Sequence, residues 1–82
     1  MKFIYFASLR ERLGRGEEEV ALPDEVRTVA DAIAFLSGRD ELYADVFASG
    51  LVRAALDKTH AKPEASIAGA REIAFFPPMT GG

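Results

Sequence analysis

No cysteine occurs in this chain of 82 residues, and that absence decides how the chain must hold itself together. A domain of this size buries only about 60 % of the surface its unfolded form exposes. Small domains with so thin a margin often rely on disulfides or a thiolate-held metal. Here the core must come from packing alone, drawn from the 49 % of residues that are apolar. The same absence removes thiol chemistry from the chain itself, and the length leaves room for one domain only.

Thirteen acidic residues against ten basic ones give a formal charge of −3, with both signs mixed along the sequence. No basic field of the kind that drives binding to a phosphate backbone results, so nucleic acid is not an expected partner. Apolar runs are a few residues long, far short of the ~20 that span a bilayer. Lys2 precedes a β-like segment instead of a signal-peptide core, so no membrane association is expected and the cytoplasm is the expected location. There is no internal repeat, and the one departure from globular composition is the stretch from Pro77 to Gly82.

Lys2-Phe3-Ile4-Tyr5-Phe6 is β-branched and aromatic and reads as a strand, with apolar groups on both faces. Periodicity does not say which face is the core. Ser8 to Leu13 reads as a turn or two of helix, with Leu9 and Leu13 on one side and Gly14 as its stop. Glu17 to Leu22 reads as an edge strand, paired hairpin-like with the first and ended by Pro23-Asp24. Glu17-Glu18-Glu19 reads as its solvated face, which discourages edge aggregation.

Thr28 with Asp31 three residues on has the capping-box pattern, and Val29, Ala32, Ile33 and Leu36 follow helical spacing. Gly38 closes this main helix. Asp40 caps a second, shorter one whose expected stripe is Leu42, Val46 and Phe47, with Gly50 as its end. Leu51 to Leu56 reads as the third strand, Ser66 to Gly69 as a turn and Arg71 to Phe76 as the last strand. The order strand, strand, helix, strand, strand points to an α+β domain, a mixed sheet with one main helix packed on one face. If that helix covers Ile73 and Phe75, the period of two leaves Phe76 exposed.

An internal active site is not legible. The chain has one histidine and shows no phosphate loop, no serine-nucleophile motif and no His/carboxylate set at metal-ligand spacing. His60 lies in the polar run Asp57-Lys58-Thr59-His60-Ala61-Lys62 and reads as a solvated loop or strand-end side chain. Gly14-Arg15-Gly16 lacks the rest of a phosphate fingerprint and reads as a reversal. Neither a bound cofactor nor a metal is expected.

The end of the chain is different. Pro77-Pro78 cannot donate to a β-ladder and forces the last strand to stop in an extended stem. Residues 1–76 thus read as the folded domain and 77–82 as a flexible Gly-Gly tail. Those six residues reach roughly 20 Å when extended. Gly81 and Gly82 carry no Cβ, so a narrow channel can close around the backbone and still reach the terminal carbonyl carbon. A terminal carboxylate, with a pKa of about 3.3–3.7, is ionised at neutral pH and is a poor electrophile. Acyl chemistry there needs prior activation, which adenylation by ATP supplies.

Ala74-Phe75-Phe76-Pro77-Pro78-Met79-Thr80-Gly81-Gly82 resembles the terminal signature of the small subunits of molybdopterin synthase, and the full chain length agrees. Phe6-Ala7-Ser8-Leu9-Arg10-Glu11 and Leu51 to Asp57 are similar to that family's strand-to-helix opening and third strand. One departure is Gly69-Ala70-Arg71-Glu72, where the family commonly has Asp-Gly-Asp-Glu. The resemblance implies a β-grasp, ubiquitin-like fold and a sulfur carrier without catalytic side chains of its own. It implies that Gly82 is adenylated by an E1-like enzyme using ATP and converted to a thiocarboxylate by a sulfur donor protein. The large synthase subunit, in a heterotetramer, then passes the sulfur to cyclic pyranopterin monophosphate to build the molybdopterin dithiolene. Pro77, Pro78, Met79, Thr80 and Gly81 form the inserting tail, with Phe6, Arg10 and Phe76 as docking residues. The Gly-Gly end alone is shared with the sulfur carriers of thiamine and cysteine synthesis and with ubiquitin-like protein modifiers, which are the alternatives.

Overall fold

The computed structural model describes residues 1–48 and 52–78. In chain order the elements are β1 (Lys2–Tyr5), α1 (Ala7–Leu13), β2 (Glu17–Glu19), α2 (Val29–Ser37), α3 (Glu41–Phe47), β3 (Arg53–Leu56), β4 (Thr59–Ala61) and β5 (Glu72–Phe76). The strands form one sheet in the order β2-β1-β5-β3-β4. β1 runs parallel to the central β5, with Tyr5 opposite Phe75, and every other neighbouring pair is antiparallel. This is the mixed sheet of a β-grasp domain.

Side-chain alternation sorts the strands into two faces. Phe3, Tyr5, Ala54, Ile73 and Phe75 are buried against the helices, which settles the orientation of the first strand. The Phe75 ring meets Phe3 at 5.4 Å and Phe47 at 5.5 Å, both edge-on. Leu9 and Leu13 of α1, Val29, Ala32 and Leu36 of α2, and Val46 and Phe47 of α3 complete one continuous core. Each such large apolar side chain contributes about 1.5–3 kcal/mol on burial.

The capping box at α2 forms as its spacing predicts. The Asp31 N–H donates to Thr28 Oγ1 at 3.1 Å, and the Thr28 N–H donates back to Asp31 Oδ2 at 3.2 Å. Two further N–H groups of the first turn, of Val29 and Ala30, donate to the carbonyls of Ala65 and Pro63. The 63–67 segment therefore satisfies α2 donors that no helix can satisfy internally. It is more than a turn: Ile67 is buried, and Ser66 bridges to Thr28.

Several expectations change. The second helix buries Tyr43, Val46 and Phe47, while Leu42 is 46 % exposed. Tyr43 takes the inward place because its ring packs in the core and its hydroxyl still finds a partner at the rim. A fifth strand, β4, arises inside the polar run that includes His60. Asp57 (φ 46°) and Lys58 (φ 73°) both adopt the left-handed conformation, which makes the two-residue turn that hairpins favour. The edge strand ends at Glu19 instead of Leu22. Gly50 and Leu51, expected as helix end and strand start, lie outside the described residues.

The three glutamates are not equivalent. Glu17 and Glu19 are exposed, but the Glu18 side chain is only 11 % exposed. Its Oε2 accepts from the hydroxyls of Tyr5 (2.6 Å) and Tyr43 (2.7 Å), and its Oε1 from Arg15 (3.1 Å) and Arg39 (3.0 Å). Burial pushes this carboxyl up, but hydrogen bonds from the two tyrosines and Arg39 outweigh it and hold it at about 2. The edge strand is thereby tied to β1, α3 and the α2–α3 connection.

Candidate functional site

Parallel pairing of β1 with β5 carries both strands out of the sheet at the same end. Phe6 follows β1 there, and its N–H donates to the Phe75 carbonyl at 3.0 Å. Phe76 ends β5 at the same level, and Pro77-Pro78 continues from it. Proline in two successive positions ends the ladder, since neither residue has an N–H to give. Phe6, 49 % exposed, is one of two large apolar side chains this open among the described residues.

Arg10 reaches the same region through α1. The left-handed Ala7 (φ 52°) turns the chain from β1 straight into the helix, and the Phe6 carbonyl accepts from the N–H groups of Leu9 and Arg10. The Arg10 guanidinium lies over Gly16. A methyl group built on Gly16 would stand 3.2 Å from Arg10 Nε, so the missing Cβ gives the side chain its room.

The sheet face turned away from the helices carries Ile4, Ala74, Ala55 and His60 in one cross-strand row, with Phe76 opposite Arg53 one step along. Phe76 is half-buried instead of exposed, because the His60 ring packs edge-on against it at a centroid distance of 5.3 Å. Sequence reasoning set His60 aside. Only the hairpin pairing of β4 with β3 brings it beside Phe76, and the Asp57-Lys58 turn that makes this pairing carries no glycine to signal it. Asp57 also holds the start of β5, beside the Gly69-Ala70-Arg71-Glu72 departure. Its Oδ1 accepts from the N–H groups of Arg71 and Glu72, and Gly69 (φ 78°) makes the bend.

Phe6, Arg10, Phe76, Pro77 and Pro78 thus lie among the described residues, at or beside one end of the sheet. Met79, Thr80, Gly81 and Gly82 lie outside them. Among the described residues no three metal-ligating side chains converge, and no helix is long and apolar enough to cross a membrane.

Comparison with known proteins fits this arrangement. The chain is 30 % identical over 82 residues to the molybdopterin synthase sulfur carrier subunit of Escherichia coli, covering 100 % of this chain and 99 % of that protein. It is 29 % identical, with the same coverage, to the molybdopterin synthase sulfur carrier subunit of Haemophilus influenzae. Its fold is similar to the crystal structure of SAMP1 from Haloferax volcanii, with a TM-score of 0.71 and 25 % identity over 99 % of this chain and 97 % of that one. The sequence model of the ThiS family matches residues 3–82, essentially the entire sequence, and the chain belongs to that family.

Proposed function

We propose that this protein is a sulfur carrier and the small subunit of a molybdopterin synthase, working through its C-terminal glycine. The observation that carries the reading is the β1–β5 register, which gathers Phe6 and Phe76 at the end of the sheet where the proline stem leaves. An apolar end of the sheet beside the proline stem that leads to a Gly-Gly terminus suits a chain inserted into another protein's cleft. The named relatives, matched along their whole length, support the same assignment.

In this proposal an E1-like enzyme activates the Gly82 carboxylate. One carboxylate oxygen attacks the α-phosphorus of ATP, pyrophosphate leaves, and the resulting acyl-adenylate is open to a sulfur nucleophile that releases AMP. A persulfide-bearing donor protein supplies that sulfur: its outer sulfur bonds to the acyl carbon as AMP leaves, and a second thiol of the donor or the activating enzyme then cleaves the acyl disulfide, freeing the Gly82 thiocarboxylate and leaving a disulfide behind. The thiocarboxylate enters the large subunit, in a heterotetramer, and gives its sulfur to cyclic pyranopterin monophosphate. Side chains for that transfer belong to the large subunit. Phe6, Arg10 and Phe76 dock, the tail from Pro77 to Gly81 inserts, and the cytoplasm is the site of action.

The test is mass spectrometry of the protein after incubation with the matching activating enzyme, ATP and a sulfur source. The expected product carries one oxygen-to-sulfur exchange at Gly82. An unchanged mass with a competent activating enzyme refutes the carrier reading, and isopeptide adducts in place of free thiocarboxylate make the chain a protein modifier.

A further inference from the structure

The sheet has two free edges of opposite character. At β2, Glu17 is paired with Lys2 at 2.9 Å and Glu19 with the Met1 amine at 3.7 Å, so that edge is neutralised from within. At β4 the situation is reversed. Arg53, Lys58 and Lys62 stand on or beside this edge together with His60, and among the described residues none of the three cations is paired with a carboxylate. A chain of net charge −3 therefore presents three cations without an ion-pair partner around this edge, at the start of β3, in the hairpin turn and just after β4, with Glu64 near Lys62 and Asp57 and Glu72 near Lys58.

The backbone of that strand is also unsatisfied on one side. In the two-residue hairpin at Asp57-Lys58, the pairs Leu56–Thr59 and Ala54–Ala61 are the hydrogen-bonded ones and Ala55–His60 is not. The N–H and C=O of His60 accordingly point away from β3, toward solvent. Beside them lies a groove of about 410 Å³ between α2 and β3, lined by Ile33, Val52, Ala61 and Pro63 with Arg53 and Lys62. Ile33 has the helical spacing of a core residue yet is only half-buried, because this groove is left uncovered.

We infer that the β4 edge is a strand-addition site for an extended acidic segment of a partner protein, with an apolar side chain seated in the Ile33–Val52–Ala61 groove. An added strand uses the free His60 peptide groups, its alternate side chains enter the groove, and its carboxylates meet Arg53 and Lys62. A nucleic-acid backbone would match the charge but would use neither the strand edge nor the apolar groove. A second copy of this chain would have to offer its acidic β2 edge, whose outer glutamates are already paired internally. The site adjoins Phe76, which lies opposite Arg53 and against the His60 ring, but it uses the outer edge of β4, and the inference does not depend on the sulfur chemistry proposed for Gly82.

The experiment is selection of a displayed library of random octapeptides against the full chain, followed by affinity and amide-exchange measurements on the enriched peptides. The expected winners alternate apolar and acidic residues, slow exchange of the His60 amide, and lose about tenfold or more in affinity to the double variant Arg53→Glu/Lys62→Glu. Both substituted side chains are exposed, and circular dichroism checks that the variant remains folded. The lysines are merely solvated edge protection if no peptide is enriched, or if the winners lack carboxylates, bind the double variant equally well or leave His60 exchange unchanged. Self-association of the chain that the charge reversal abolishes assigns the edge to a second copy and overturns the partner proposal.

Discussion

The hydroxyl of Tyr5 donates to Glu18 Oε2 at 2.6 Å, so a core side chain of β1 and the acidic edge strand β2 are joined through a carboxylate that water barely reaches. Tyr43 shares the same oxygen. Glu18→Ala leaves two tyrosine hydroxyls without their acceptor and two arginines without their counter-ion, and should lower stability by about 2–4 kcal/mol. Chemical denaturation measures this. Glu17→Ala, at an exposed side chain one residue away, should change stability by less than about 0.5 kcal/mol.

The same carboxyl sets an acid limit. Its folded pKa of about 2 lies below the ordinary 4.5, so its contribution is present in full above that ordinary value and is lost as pH falls toward 2. A shift of this size corresponds to about 3 kcal/mol. Melting temperatures taken across this range should fall steeply for the native chain and more gently for Glu18→Gln, which no longer titrates. Equal slopes would remove Glu18 as the cause.

Within α3 two neighbours should behave oppositely. Phe47→Ala removes a ring packed against Phe75 and Tyr5 and should cost about 3–5 kcal/mol. Leu42→Ala, at the exposed position that helical spacing had assigned to the core, should shift stability by well under 1 kcal/mol. Thermal melts of the two variants decide between the stripes.

Under the proposed function, Phe76→Ala and Arg10→Ala should each weaken binding to the large subunit, by roughly 1–2 kcal/mol in calorimetric titration. Gly16→Ala tests the placement of Arg10. Gly16 is outside the left-handed region, so alanine fits its backbone, but the added methyl displaces the guanidinium. The substitution should weaken binding in the native background and have no effect in Arg10→Ala. Equal effects in both backgrounds would separate Gly16 from Arg10.

Deleting Gly82 should abolish sulfur transfer in a reconstituted assay and leave the melting temperature within a few degrees, because it draws the terminal carboxylate back by one residue's length and removes no side chain. A large loss of stability would mean that the end of the chain is part of the fold.

What the sequence made legible was what neighbouring residues decide among themselves. Thr28 and Asp31 cap a helix at a spacing of three, and Pro77-Pro78 stops a strand wherever it occurs. Gly14 in the left-handed region (φ 74°) ends α1 for a similar local reason. Distant contacts were not legible. Glu17, Glu18 and Glu19 are identical as letters, and only partners 13 and 25 residues away single out the middle one. His60 owes its place to a hairpin whose Asp-Lys turn lacks the usual glycine, and Leu42 lost the core to a tyrosine whose hydroxyl had somewhere to go. The closeness of Phe6 and Phe76 at one end of the sheet is likewise a product of strand pairing across almost the entire chain.

The parallel alignment of β1 with β5 also governs how the domain bears load. Met1 enters at one end of this strand pair and Pro77 leaves at the other, so traction on the two ends slides the strands past each other lengthwise. Their rungs then resist together instead of opening one after another as in a zipper pulled from one side. Under the proposed function, a carrier drawn by its terminus into a cleft and released would be tugged along the direction in which this strand pair resists most.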